Sequence, residues 1–279
     1  NIPTELPADP KTIVMIRGYY PLETYFIGGG TKNAAAVYAS KGYITIAPDF
    51  LGYGESDPEL TDSWEARFIK PVQVIELIAS LRENGISVAN QTIQLAPQNF
   101  ALWGHSNGGQ IALSVLEILS EPIPTTLWAP VTATFPYSIL YFGIDQEDSG
   151  KAQRKWLSIF EDNYDTDDFN LLTHLDLLTG TIQLHHGQAD DAAPITWSNL
   201  FEAAVEAENQ RRLTPPTPEE ATQAAETLQA EPLPPIDLTY YTYPGTDHNM
   251  RPNWDRVVER DLNFFAQAFQ EANSPAGSL

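Results

Sequence analysis

Apolar residues follow two rhythms along this chain. Short continuous runs closed by turn residues, Thr12-Ile13-Val14-Met15-Ile16 before Gly18 and Tyr43-Ile44-Thr45-Ile46-Ala47 before Pro48, predict strands buried on both faces. Between them Gly28-Gly29-Gly30 leads into a helix over Asn33 to Ala39, and the three pieces read as a βαβ unit. Val72, Val74, Ile75, Leu77, Ile78 and Leu81 then keep a helical spacing, with Pro71 suited to a first-turn position and Asn84-Gly85 to the stop. A third strand, Phe100-Ala101-Leu102-Trp103, runs straight into Gly104-His105-Ser106-Asn107-Gly108-Gly109. The stretch from Ile111 to Leu119 that follows is apolar almost all round, as a buried helix requires.

Thr126-Leu127-Trp128-Ala129 and Thr181-Ile182-Gln183-Leu184 read as further core strands, but residues 132–179 between them break the alternation. That stretch predicts a cap insertion: a loop with Phe135, Tyr137, Tyr141 and Phe142, an acidic helical patch around Trp156 and Phe160, then Leu171 to Leu178. A second irregular piece, 213–236, places prolines on both sides of a helix-favouring run and predicts a surface excursion. Leu238 to Tyr243 forms the last strand, and Trp254, Val257, Val258, Leu262, Phe265 and Phe269 repeat at the helical period. With 279 residues and no internal repeat, the expectation is one α/β domain, a mostly parallel sheet flanked by helices.

Composition narrows the function. A content of 42% hydrophobic and 11% aromatic residues supports a packed core, and no run of 18 apolar residues is present to span a bilayer. Acidic residues outnumber basic ones 37 to 15, and the net charge of -22 argues against nucleic acid as a partner. The absence of cysteine removes disulfides, a thiol nucleophile and any cysteine-ligated metal. The chain starts at Asn1 without a charged n-region and apolar h-region, which predicts a mature or trimmed chain, with a secreted or periplasmic location favoured over the cytoplasm.

Gly104-His105-Ser106-Asn107-Gly108 fits G-x-S-x-G, a pattern whose weight comes from lying between a strand and a buried helix. Glycine two before and two after the serine permits a tight turn, which leaves the hydroxyl at a helix N-terminus, where the Asn107 N–H faces a developing oxyanion. A serine hydroxyl needs a base, and five histidines are available. His105 is within the motif, His174 falls in the insertion, and His185 and His186 end a strand. His248 follows the last strand, where a base belongs. Asp190 and Asp191 both lie on the loop after the preceding strand. Asp190 is preferred, Asp191 competes, and Asp247 suits a capping role beside the histidine.

The order Ser106, Asp190, His248 on successive strand ends resembles the α/β-hydrolase fold enzymes over nearly the whole chain. Gly104 to Gly109, the stretch Asp49-Phe50-Leu51-Gly52-Tyr53-Gly54-Glu55-Ser56 and the loop His186-Gly187-Gln188-Ala189-Asp190-Asp191-Ala192-Ala193-Pro194 look most like the prolyl oligopeptidase-type group and related bacterial esterases. That resemblance implies Asp190 as the acid of a triad. It also implies a second oxyanion donor, the N–H of Tyr19, in Arg17-Gly18-Tyr19-Tyr20, where Arg17 stands in place of the usual histidine. Tyr20, Phe135, Tyr137, Tyr141 and Trp197 are candidates for a substrate pocket.

The expected activity is cleavage of a small-molecule carboxylic ester through an acyl-enzyme, with no cofactor and no metal. The alternatives are an aminopeptidase-like or acyl-peptide hydrolase, and a catalytically silent binding protein on the same fold. The peptidase form of the resemblance implies a β-propeller ahead of the hydrolase domain, and the expectation that none precedes Asn1 favours the esterase. The positive charge is six lysines and nine arginines, a lysine-poor balance that resembles salt-adapted or exported proteins. It predicts that neutral esters meet less repulsion than anionic ones.

Overall fold

In the computed structural model, which describes residues 1–88, 91–144, 147–214 and 233–271, six strands form one parallel sheet. They are β1 (Thr12–Ile16), β2 (Ile44–Ile46), β5 (Phe100–His105), β6 (Thr125–Trp128), β7 (Thr181–Gly187) and β8 (Asp237–Tyr243), in the order β2-β1-β5-β6-β7-β8. A short antiparallel hairpin, β3 (Ile86–Val88) with β4 (Gln91–Ile93), lies apart from it.

Both faces of the sheet are covered, which is why its strands read as unbroken apolar runs rather than alternating ones. Val14, Ile16, Leu102, Leu127 and Leu184 face one side, against α2 (Ser63–Asn84), α3 (Asn107–Leu119) and α6 (Ile195–Leu213). Ile13, Met15, Ala101 and Trp103 face the other, against α1 (Lys32–Ser40) and α7 (Trp254–Glu271). Asp261 of α7 is fully buried beneath the sheet. It accepts hydrogen bonds from Tyr38, Thr126, Trp128, Gln183 and His185, so one carboxylate ties α1, β6, β7 and α7 together.

Residues 129–180, between β6 and β7, hold α4 (Tyr137–Gly143), α5 (Lys151–Glu161) and three short 3-10 turns from Thr166 to Leu177. An aromatic cluster of Phe135, Phe160 and Phe169 with Trp64 and Phe68 fastens this segment to the start of α2.

Several expectations need correction. Pro71 lies inside α2, whose true start is set by the Asp62 carboxylate accepting from the N–H groups of Trp64 and Glu65. The loop expected around Tyr137 to Phe142 is helical, as α4. Around Trp156 the helix carries Lys151, Arg154 and Lys155, and its one acidic residue is Glu161 at its end, with further acids on the flanking turns. Most of the excursion expected over 213–236 falls on residues 215–232, outside the described residues.

Candidate active site

The order in which strands are added reverses between β1 and β5: β2 lies to one side of β1, while the later strands build outward from β5 on the other. In open parallel sheets such a switch point leaves a crevice at the carboxyl ends of the strands. Register brings those ends level, with Ile16 opposite Gly104, His105 opposite Trp128, Trp128 opposite His185 and Gly187 opposite Tyr243. The loops carrying Arg17 to Tyr20, Ser106, Asp190 and His248 therefore share one edge.

Ser106 caps α3 with φ 56° and ψ -123°, a backbone region that disfavours a side chain. Its N–H donates to the Trp128 carbonyl at 2.9 Å and its own carbonyl accepts from Val131 at 3.0 Å, so the strained turn is held from both sides. Close approach explains the glycines. A Cβ on Gly104 would meet the Gly108 carbonyl oxygen at 2.7 Å, and one on Gly18 would meet Ser106 Cβ at 2.7 Å. The Arg17-Gly18-Tyr19 backbone thus lies against Ser106, with Tyr19 N–H next along it and Tyr19's own side chain 79% exposed.

His248 follows β8, and its Nδ1 lies 2.8 Å from Asp190 Oδ2. The Asp190 side chain is buried, although the residue as a whole is only half-buried, and its Oδ1 accepts from the N–H groups of Ala192 and Ala193, both at 2.9 Å. Burial alone would raise its pKa. Hydrogen bonds from His186, His248 and Ala193 more than offset that and hold the carboxyl well below the usual carboxylate range. A carboxylate can only accept, so His248 Nδ1 carries a proton, and in the neutral ring Nε2 is the nitrogen with the lone pair. Asp191 is exposed, and Asp247 accepts from the N–H groups of Asn249 and Arg251, a turn-capping role.

Two further histidines support this pair, and sequence reasoning assigned them no part. His105 Nε2 donates to the His248 carbonyl at 2.9 Å, because a carbonyl cannot donate in return. Burial, then the nearby His248, push the His105 pKa down to about 4, so its ring is neutral near pH 7. His186 is buried with Nε2 between the Ala193 carbonyl at 2.9 Å and Asp190 Oδ2 at 3.2 Å, and its Nδ1 accepts from Ser198 Oγ. Their positions, one beside Ser106 and one heading the acid loop, are the signals that could have found them.

Arg17 is buried, its guanidinium lying over the rings of Tyr25 and Tyr53 and donating to the Gly18 carbonyl at 3.0 Å. The Tyr53 hydroxyl donates to the Tyr20 carbonyl at 2.9 Å, so the segment from Asp49 to Ser56 braces this loop. Tyr20 itself packs edge-on against Tyr25 and Phe26.

A cavity of about 370 Å³ opens beside Asn107, between α2, α3 and the 3-10 turns. The expected pocket aromatics do not line it. Phe135 is buried in the aromatic cluster, Tyr137 is exposed, and Tyr141 packs with Phe142 against Trp197 between α4 and α6. Phe68 and Phe169 line it instead. Among the described residues no group of three or more His, Asp or Glu is placed to hold a metal ion, and no helix is long and apolar enough to cross a membrane.

A family model described as the alpha/beta hydrolase family matches residues 13–274. No curated protein matches the sequence. Among solved structures, Est1E of Butyrivibrio proteoclasticus with ferulic acid bound superposes with a TM-score of 0.60 at 14% identity, over 97% of this chain and 94% of its own. A puromycin-hydrolysing peptidase of Mycobacterium tuberculosis gives 0.62 at 16% identity over 95% of this chain, which spans only 35% of that one. An esterase of Pyrococcus furiosus gives 0.58 at 14% identity, over 93% of this chain and 83% of its own.

Proposed function

This chain belongs to the alpha/beta hydrolase family, and from that premise we propose that it is a serine hydrolase cleaving carboxylic esters, with Ser106 as nucleophile, His248 as base and Asp190 as its orienting carboxylate. The observation that carries the reading is the hydrogen bond from His248 Nδ1 to the buried Asp190 carboxylate, at the same edge of the sheet as a serine strained at a helix N-terminus. As Ser106 Oγ attacks the ester carbonyl carbon, His248 Nε2 takes the hydroxyl proton. The oxygen that gains negative charge lies between the N–H groups of Asn107 and Tyr19. Collapse breaks the ester C–O bond, and the imidazolium returns the proton to the departing alkoxide. Water then releases the acid by the same route, with His248 again taking and giving a proton.

The ester is favoured over a peptide with a free N-terminus by the charges around the cavity. Holding a substrate ammonium calls for an ionised carboxylate, yet the part-buried charged groups there are Arg67 and Lys70. Glu117, also in its wall, has a carboxyl that burial pushes well above the ordinary range.

A fluorophosphonate probe is expected to label the wild-type protein and not Ser106→Ala; equal labelling of both overturns the nucleophile. p-Nitrophenyl esters are expected to turn over much faster than aminoacyl p-nitroanilides, and the reverse ranking would establish a peptidase. His248→Ala is expected to lose on the order of 10³-fold or more in kcat.

A further inference from the structure

One wall of the 370 Å³ cavity is a single face of α3, running from Asn107 through Gln110 and Ser114 to Glu117. Across from it, α2 contributes Arg67, Phe68 and Lys70. Phe68 and Phe169 meet with ring centroids 4.4 Å apart and make the wall partly aromatic. The space therefore begins at the residue after the nucleophile and leads to two cations one helical turn apart.

Neither cation is paired. Among the described residues Arg67 and Lys70 make no hydrogen bond, no ion pair and no ring contact, although both are part-buried. Burial pushes the Arg67 pKa down to about 10, and Lys70 is lowered by burial and then by Arg67 beside it, with Glu59 opposing. Arg17 is a third neighbour of the same sign, buried and with Nε and Nη2 lacking any hydrogen-bond partner.

Leaving cations part-buried and unpaired is costly, and this chain has 37 acidic residues against 15 basic ones from which to pair them. The carboxylates in the wall do not fill that role, since Glu117 is buried away with its pKa raised and Asp168 is exposed.

We propose that this cavity is a subsite for an anionic group of the substrate, a carboxylate or a phosphate on its acyl or alcohol part, bound by Arg67 and Lys70; the proposal rests on reading Ser106 as the nucleophile. It reverses, for this site, the expectation drawn from net charge that anionic esters are disfavoured. A net charge of -22 describes the whole surface, whereas selectivity is set by the few charges that touch the ligand.

The test compares mono(p-nitrophenyl) adipate, with its free carboxylate, and its neutral methyl ester. In the wild type kcat/KM is expected to favour the acid by roughly 10-fold to 100-fold, as charge-assisted hydrogen bonds would give, with most of the difference in KM. In R67Q/K70Q that ratio should fall to about one, while R67K/K70R should retain most of it. Because the ratio is internal to each protein, partial loss of folded enzyme cancels. A wild-type ratio at or below one, or an unchanged ratio in R67Q/K70Q, overturns the proposal.

Adipate and butyl phosphate as competitive inhibitors distinguish the two anions, the tighter one identifying the group. Calorimetry of both on Ser106→Ala reads the subsite without catalysis. If fluorophosphonate labelling and neutral-ester turnover fail while adipate still binds Ser106→Ala and not the R67Q/K70Q form, the hydrolase reading falls and the anion site stands.

Discussion

Strain at Ser106 separates chemistry from stability. Its φ of 56° with ψ -123° suits glycine and penalises any side chain, at about 1–3 kcal/mol for such positions. Ser106→Gly and Ser106→Ala both remove the hydroxyl, but only glycine relieves the backbone. Ser106→Gly is thus expected to be the more stable of the two by roughly 1 kcal/mol in urea denaturation, after allowing for the greater freedom of glycine in the unfolded chain. Equal midpoints would mean that the turn imposes no strain. His105 makes a second residue-level prediction. Its folded pKa of about 4 lies below that of an unfolded histidine near 6.5, so the unfolded chain takes up a proton in that window which the native one refuses. Stability falls as pH drops from about 6.5 to 4, by on the order of 3 kcal/mol in full. His105→Gln can still donate an N–H to the His248 carbonyl and does not titrate. Denaturation at pH 7 and pH 4.5 should show a smaller loss in that variant than in the wild type, and identical losses would exclude His105 as the source.

At the scale of elements, the sheet and its helices depend on a junction the sequence hides. Asp261 lies 76 residues from His185 and 223 from Tyr38, so nothing local in α7 marks it as the acceptor for donors from three other elements. Asp261→Ala would strand those donors in the core and is expected to cost roughly 3–5 kcal/mol, read from urea denaturation at pH 7. A loss below about 1 kcal/mol would show that water enters and replaces the carboxylate. The same distinction between local and distant information explains what could be read beforehand. Apolar runs identify β1, β5, β6 and β7 because both faces of those strands are buried, and G-x-S-x-G marks its turn because the glycines and the serine are adjacent. The places of Ser106, Asp190 and His248 at strand ends can each be read locally, and the fold brings Asp190 and His248 into contact. The start of α2 was not, because Pro71 carries a strong local signal for a first turn while the real cap, Asp62, looks like any loop aspartate. Nor was the cavity, whose walls come from α2, α3 and turns near residue 170 that meet only in the fold. Aromatic residues in the insertion suggested a substrate pocket, yet Phe135 packs into the cluster that anchors this segment to α2, where burial of its ring outweighs any exposure to a ligand.

For the molecule as a whole, an excess of 22 negative charges sets a repulsion that no single contact relieves. The exposed pairs that partly answer it, Lys11 with Asp9 and Arg211 with Glu208, contribute little each, since pairs of this kind are worth about 0–1 kcal/mol. Added salt weakens such pairs and also screens the general repulsion, and the second effect should prevail because, among the described residues, acids outside any ion pair far outnumber those within one. Between 10 mM and 1 M sodium chloride the screening length shrinks from about 30 Å to about 3 Å. The melting temperature is therefore expected to rise by several degrees across that range, roughly 1–2 kcal/mol for a chain of this size. Sodium sulfate would confuse screening with its strengthening of apolar burial, so chloride is the informative salt. A melting temperature that stays flat in chloride would mean that the acidic residues are spaced too widely to repel one another. One that falls would mean that the few ion pairs, with Arg82–Glu121 and the buried Arg212–Glu208 among them, outweigh the excess.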